Sequence, residues 1–154
     1  MNDIQAWAIS SKNVCLLAQS SKDLEDQELQ KNFRYSFAVL IADAWFKILE
    51  KVQKEEGKVE ELQKFLDNKT MVAEYCGNQG FQHLVKYTEI DLIFYAIVEN
   101  DSIDTTIDPE EAFAVFKKFG LTYVKYQVCG EFKTFEHLNK ELGLLYGKVA
   151  KASI

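Results

Sequence analysis

From Phe33 onward the apolar residues fall into step with an α-helix. Phe37, Leu40, Ile41, Ala44, Trp45, Ile48, Leu49 and Val52 recur at i, i+3 and i+4, the spacing that lines one side of a 3.6-residue turn. A helix this long draws its stability from covering that stripe, so the rest of the chain must supply a surface for it. The neighbouring segments follow other periods. Residues 6–9 and 14–18 are short apolar runs separated by Ser10-Ser11-Lys12-Asn13, which predicts two strands joined by a tight turn. Residues 20–32 are polar and are expected to form a loop with a helical turn. The charged stretch 51–58 surrounds Gly57, read as a break, and Val59, Leu62, Phe65 and Leu66 predict a second, shorter helix.

Beyond it, residues 70–75 read as a strand, followed by the turn Cys76-Gly77-Asn78-Gln79-Gly80. Residues 92–98 are apolar throughout, which predicts a strand buried on both faces. Asp108-Pro109-Glu110-Glu111 has the chemistry of a helix start: an Asp cap, proline in the first turn, and carboxylates at the positive end of the dipole. That helix is expected over 112–119, closed by a left-handed Gly120. Residues 123–128 read as another strand. Thr134 opens a last helix that turns Leu138, Leu142, Leu145 and Val149 inward. The order predicts a mixed α+β fold, rich in antiparallel sheet with packed helices. A length of 154 residues suits one domain, and 47% hydrophobic residues suffice for a core.

Charge narrows the function. Twenty-four acidic residues face 18 basic ones, for a net −6, and Arg34 is the single arginine. That balance suits poorly a free-standing binder of phosphate backbones. No apolar run reaches the ~18 residues of a membrane span, and the first residues do not open a signal peptide. Cys15, Cys76 and Cys129 are odd in number and more than fifty positions apart. Neither a disulfide framework nor a zinc cluster is expected from them, and a cytoplasmic setting is.

The stretch Val72-Ala73-Glu74-Tyr75-Cys76-Gly77-Asn78-Gln79-Gly80-Phe81-Gln82-His83-Leu84-Val85-Lys86-Tyr87 carries the most chemistry. It sets a carboxylate on an apolar strand, where it costs free energy unless paired or used. A glycine-bearing turn that permits close backbone approach follows, and then a polar, basic segment. The run Ile93-Phe94-Tyr95-Ala96-Ile97-Val98-Glu99 comes next and offers an apolar wall for a base.

This block resembles the middle of the ATP-dependent RNA ligases of the phage T4 type, members of the covalent nucleotidyltransferase superfamily. The likeness extends over residues 7–154 and is most specific in 72–99. It implies part of a ligase-like nucleotidyltransferase domain that takes ATP, Mg2+ and RNA ends bearing a 5′-phosphate and a 3′-hydroxyl. Glu74 would hold the ribose hydroxyls or help place a metal ion. Gly77 would belong to the same pocket wall. Phe94, Ile97 and Glu99 would form the base-binding wall, with Glu99 near the metal or the RNA end. Lys12, in Ser10-Ser11-Lys12-Asn13-Val14, would face phosphate or the RNA end. Ile97 departs from the family, which often carries a stacking ring there; an aliphatic side chain covers a base by dispersion alone.

The family's nucleophile is a lysine in a Lys-x-x-Gly pattern before the first hairpin. Residues 1–6 contain no lysine. Lys54–Gly57, Lys117–Gly120 and Lys140–Gly143 match the pattern but lie on helical periodicity, so they read as helix ends. The later Glu-Gly and Lys-x-Lys strands are not seen. The expectation is an incomplete ligase domain, inactive alone; the other reading is a non-catalytic ligase-like binding or interaction protein. A plainer view also exists for single residues. Lys12 sits in a turn as any solvated lysine would, Cys76 suits a buried thiol, and His83 and His137 suit surface histidines.

Overall fold

The computed structural model describes residues 6–26, 29, 31–77, 91–101, 106–126 and 131–152, with side chains as far as 144. The chain divides into two compact units, Met1–Val124 and Lys125–Ile154. The turn Asn78-Gln79-Gly80, the segment 81–87 with His83, and Cys129 lie outside the described residues.

The first unit opens with the expected hairpin. Strands β1 (Trp7–Ser10) and β2 (Cys15–Ala18) pair antiparallel, Trp7 opposite Ala18 and Ser10 opposite Cys15. The Ser11 N–H closes the turn by donating to the Val14 carbonyl at 2.8 Å. Alternation places Ile9, Leu16 and Ala18 in the core and leaves Leu17 outside. A 3-10 turn over Ser21–Glu25 follows within the polar loop.

Helix α1 spans Phe33–Glu56. The Asn32 side chain accepts the Arg34 N–H at 3.0 Å, and Gly57 ends the helix at φ 62°, a backbone region that glycine enters at least cost. The buried set is wider than one stripe: Ala38, Ala42 and Phe46 join Ala44, Trp45, Leu49 and Val52. The reason is that two elements cover the helix. Trp7 of the hairpin meets Trp45 edge-on at 5.2 Å, and Phe94 meets the same indole at 6.1 Å. Helix α2 (Val59–Phe65) turns Leu62 fully inward.

Strands β3 (Lys69–Cys76) and β4 (Asp91–Glu99) form an antiparallel ribbon with one irregularity. Ala73 opposes Phe94 but Val72 opposes Ala96, so Tyr95 is an extra residue bulged out of β4. The bulge shifts the alternation by one. Tyr75/Leu92, Ala73/Phe94 and Met71/Ile97 share the core face, whereas Cys76/Asp91, Glu74/Ile93, Val72/Ala96 and Thr70/Val98 share the other. Burial agrees: Leu92, Phe94 and Ile97 are at most 4% exposed, while Ile93, Ala96 and Val98 are half-buried and Tyr95 is 45% exposed. The expectation that 92–98 would be buried on both faces is therefore corrected. Its apolar run serves one packed face, because the aromatic cluster of the helices lies on that side.

Helix α3 (Pro109–Lys118) starts as expected, with the Asp108 carboxylate accepting the Glu110 and Glu111 N–H groups at 2.9 and 3.4 Å. It ends at Gly120, φ 64°. Phe113, Phe116 and Phe119 are buried beneath it. The expected strand over 123–128 is reduced, where described, to a single parallel pairing of Tyr123 with Phe94. The Phe94 N–H donates to the Thr122 carbonyl at 2.9 Å, and the Val124 N–H donates to the Phe94 carbonyl at 3.0 Å. Phe113 stacks on Tyr123 at 5.6 Å, so ring packing holds the segment where a full ladder is missing.

The second unit contains α4 (Phe135–Ala152), where Thr134 Oγ1 accepts the His137 N–H at 3.2 Å. Leu142, expected inward, is 37% exposed and Leu144 is 54% exposed. The side chains of Leu145 and Val149 fall outside the described set. Among the described residues two small antiparallel sheets accompany four α-helices, and the fold is α+β. No helix among them is long and apolar enough to cross a membrane.

Candidate functional site

Glu74 stands on the β3–β4 face turned away from the core, opposite Ile93, and is exposed. Around it on that face lie Val72, Ile93, Ala96 and Val98, all half-buried. A carboxylate at the border of an apolar floor is thus a property of the backbone register: two residues of strand separate each floor position from the next. Among the described residues Glu74 takes part in no ion pair.

Glu99 is elsewhere. It pairs with Lys69 on the opposite face, where the Lys69 ammonium lies 3.8 Å from its carboxylate. Five residues of β3, roughly 17 Å of strand, separate its register position from that of Glu74. The two carboxylates are not brought together as a pair for one metal ion. Among the described residues no group of three or more His, Cys, Asp or Glu side chains converges on a common point.

Phe94 and Ile97 belong to the core. Ile97 has no exposed surface, and Phe94 is 3% exposed, wedged between Trp45 at 6.1 Å and Phe116 at 5.5 Å. Besides Asp91, the side chains that β4 offers outward are Ile93, Tyr95, Ala96 and Val98, each one position from those that the sequence singled out. Only the bulge at Tyr95 determines which set faces out, and a single sequence does not display it.

Gly77 is buried, and its backbone is approached closely by the chain itself. A Cβ there would lie 2.6 Å from the Tyr75 Oη and 2.7 Å from its Cζ. The Tyr75 ring packs edge-on against Phe37 at 5.4 Å, and its hydroxyl has no hydrogen-bond partner among the described residues. Burial first, and the Asp43 carboxylate second, push this phenol above its ordinary range, with Lys47 opposing. A raised folded pKa means that the unfolded chain ionises first. Stability from this group is complete below pH ~10 and is lost as pH rises through the folded value. Tyr75→Phe removes an unpaired buried hydroxyl, so it should stabilise the protein by about 1 kcal/mol at neutral pH. It should also flatten the fall in stability above pH ~10. Urea denaturation at pH 7 and 10.5 checks both; a variant less stable than the parent at pH 7 would show that the hydroxyl has a partner.

Lys12 is exposed in the first hairpin turn. It lines an open cleft of about 440 Å³ together with Ser11, Phe33, Arg34, Ser36 and Phe37. None of Glu74, Gly77, Phe94, Ile97 or Glu99 lines that cleft. Phe33 and Arg34 were not singled out by sequence, because each looks like an ordinary first-turn residue until the hairpin turn is placed beside it.

The three Lys-x-x-Gly matches are helix endings or helix interiors. Gly57 and Gly120 are the left-handed residues that close α1 and α3, and Gly143 lies within α4. Cys15 is an exposed free thiol and Cys76 a buried one. Comparison with protein-family models, with curated proteins and with solved structures found no match to this chain.

Proposed function

We propose that the chain is the nucleotide-pocket portion of an ATP-dependent RNA ligase, with ATP and RNA ends as its ligands. The observation that carries this reading is the outer face of the β3–β4 ribbon. It combines an exposed carboxylate, Glu74, with a half-buried apolar floor of Val72, Ile93, Ala96 and Val98. Nucleoside recognition asks for that combination: a flat apolar surface for the base and an anionic acceptor for two ribose hydroxyls. In this reading the base lies on Ile93 and Ala96, and Glu74 accepts from the ribose. The protein's share of a phosphoryl transfer is then positioning, which fixes the α-phosphate relative to an attacking lysine. Among the described residues no Lys-x-x-Gly lysine lies outside a helix, so this chain by itself binds nucleotide and forms no lysine–AMP bond.

A second reading, a non-catalytic ligase-like nucleotide- or RNA-binding or interaction protein, draws support from the core positions of Phe94 and Ile97. Titration calorimetry with ATP and magnesium on the 154-residue chain tests both. Under the first reading, and under the nucleotide-binding form of the second, the wild type binds, and Glu74→Ala weakens binding roughly 10- to 100-fold, the worth of a hydrogen bond or two to a charged acceptor. Binding that Glu74→Ala leaves unchanged would remove Glu74 from the site. Absence of ATP binding would remove the nucleotide pocket altogether. Incubation with labelled ATP separates the two readings from an intact ligase, since an acid-stable protein–AMP bond appears only if a nucleophile is present.

A further inference from the structure

Helix α4 carries an apolar stripe with a period of its own. Phe135, Leu138, Leu142, Leu145, Val149 and Ala152 alternate at spacings of three and four, which are the a and d positions of a heptad repeat. The stripe starts on the first residue of the helix and ends on the last. Where side chains are described it is not packed away: Phe135 is 76% exposed, Leu142 is 37% exposed, and Leu138 is half-buried. Among the described residues α4 is the one helix of the second unit, and no strand accompanies it there. Its 18 residues make a helix about 27 Å long, which is marginal alone in water. Gly143 and Gly147 within it lower that stability further.

We propose that α4 pairs with the α4 of a second copy of this chain, as an antiparallel two-stranded coiled coil about a two-fold axis. Opposed chain directions set each a position level with a d position of the partner. Phe135 then meets the partner's Ala152, Leu138 meets the partner's Val149, and Leu142 meets the partner's Leu145. The bulkiest residue of the stripe lies against the smallest, and neither end overhangs. The residues that flank the stripe decide the direction. They are Asn139, Glu141, Tyr146 and Lys148, of which Glu141 and Lys148 alone are charged, and both hold g positions. Across an antiparallel pair g faces g, so Glu141 meets the partner's Lys148, and symmetry makes that contact twice. A parallel pair would set g against e, leaving Glu141 beside the partner's Tyr146 and Phe135 crowded against its own copy. Glu141 is half-buried and takes part in no ion pair among the described residues. The charges of this helix are thus complementary to a copy of itself, in one orientation.

The test is the mass of the full chain in solution, by sedimentation equilibrium from low to high micromolar concentration. The mass should rise with concentration towards twice the 17.7 kDa of one chain. A helix of this length gives a small interface, so the dimer should be reversible. Leu142→Glu should weaken association at least ~10-fold, because a carboxylate would enter the apolar centre of the pair twice. Glu141→Lys and Lys148→Glu should each weaken it about 5-fold by setting like charges face to face, and the two together should restore it. Glu and Lys have nearly equal helix propensity, so the charge exchange reads the interface even where Leu142→Glu costs helix content. The mass of one chain at every concentration overturns the proposal, and so does a dimer that Leu142→Glu leaves intact. Single reversals without effect, or a double reversal that fails to restore association, overturn it as well.

Discussion

Phe116→Ala should lower the stability of the protein by about 3–5 kcal/mol, the cost of emptying a large aromatic site that cannot fully collapse. Phe116 has no exposed surface, and its ring meets Phe94 at 5.5 Å, Tyr123 at 6.2 Å and Phe113 at 6.4 Å. Its ring ties together three pieces: β4, helix α3 and the segment that pairs with Phe94 by one parallel bridge. Because that segment has little ladder of its own, rings replace hydrogen bonds as its attachment. Urea unfolding followed by far-UV circular dichroism should show the midpoint fall with little change of slope. A loss below ~1 kcal/mol would mean that the cluster is not the keystone of this unit.

Ile97→Tyr is the second large effect, and it addresses the site as well as the fold. If residue 97 faced a base, a tyrosine there would be tolerated and would tighten ATP binding. In the structure Ile97 has no exposed surface and opposes Met71 on the core face. A ring and a hydroxyl must then be forced into filled space, with the hydroxyl unpaired. Overpacking of this kind costs about 1–3 kcal/mol, and burial of the unpaired hydroxyl adds about 1–3 kcal/mol. The expected result is an early-melting protein with no gain in ATP affinity. A variant of parental stability that bound ATP more tightly would place residue 97 on the nucleotide face and refute the register described above.

The helices were legible because their signals are local. The spacing from Phe37 to Val52, the left-handed glycines at 57 and 120 and the Asp108-Pro109 start each act over a few residues, and each appears where the sequence places it. The hairpin of residues 7–18 was legible for the same reason. What escaped was anything set by pairing between distant segments. The sides of β4 depend on the bulge at Tyr95, whose only signature is the match between two strands fifteen residues apart. Glu74 could be recognised as chemically unusual, but not its separation from Glu99. The cleft joins Lys12 to Arg34 across more than twenty residues, and no local pattern announces it.

The bulge at Tyr95 has a consequence for how this segment can change over time. A substitution in β4 alters one side chain on one face. Loss of a single residue from the bulge would restore plain alternation. Everything on both flanks of it would then keep its side: Phe94 and Ile97 would stay on the core face while Ala96 and Val98 stayed on the other. The strand can therefore lose Tyr95 without turning over, whereas regular pairing straight through Tyr95 would put Ile97 and Glu99 outside. Within a gene that accumulates small insertions and deletions, position 95 is where this stretch should tolerate the loss of one residue.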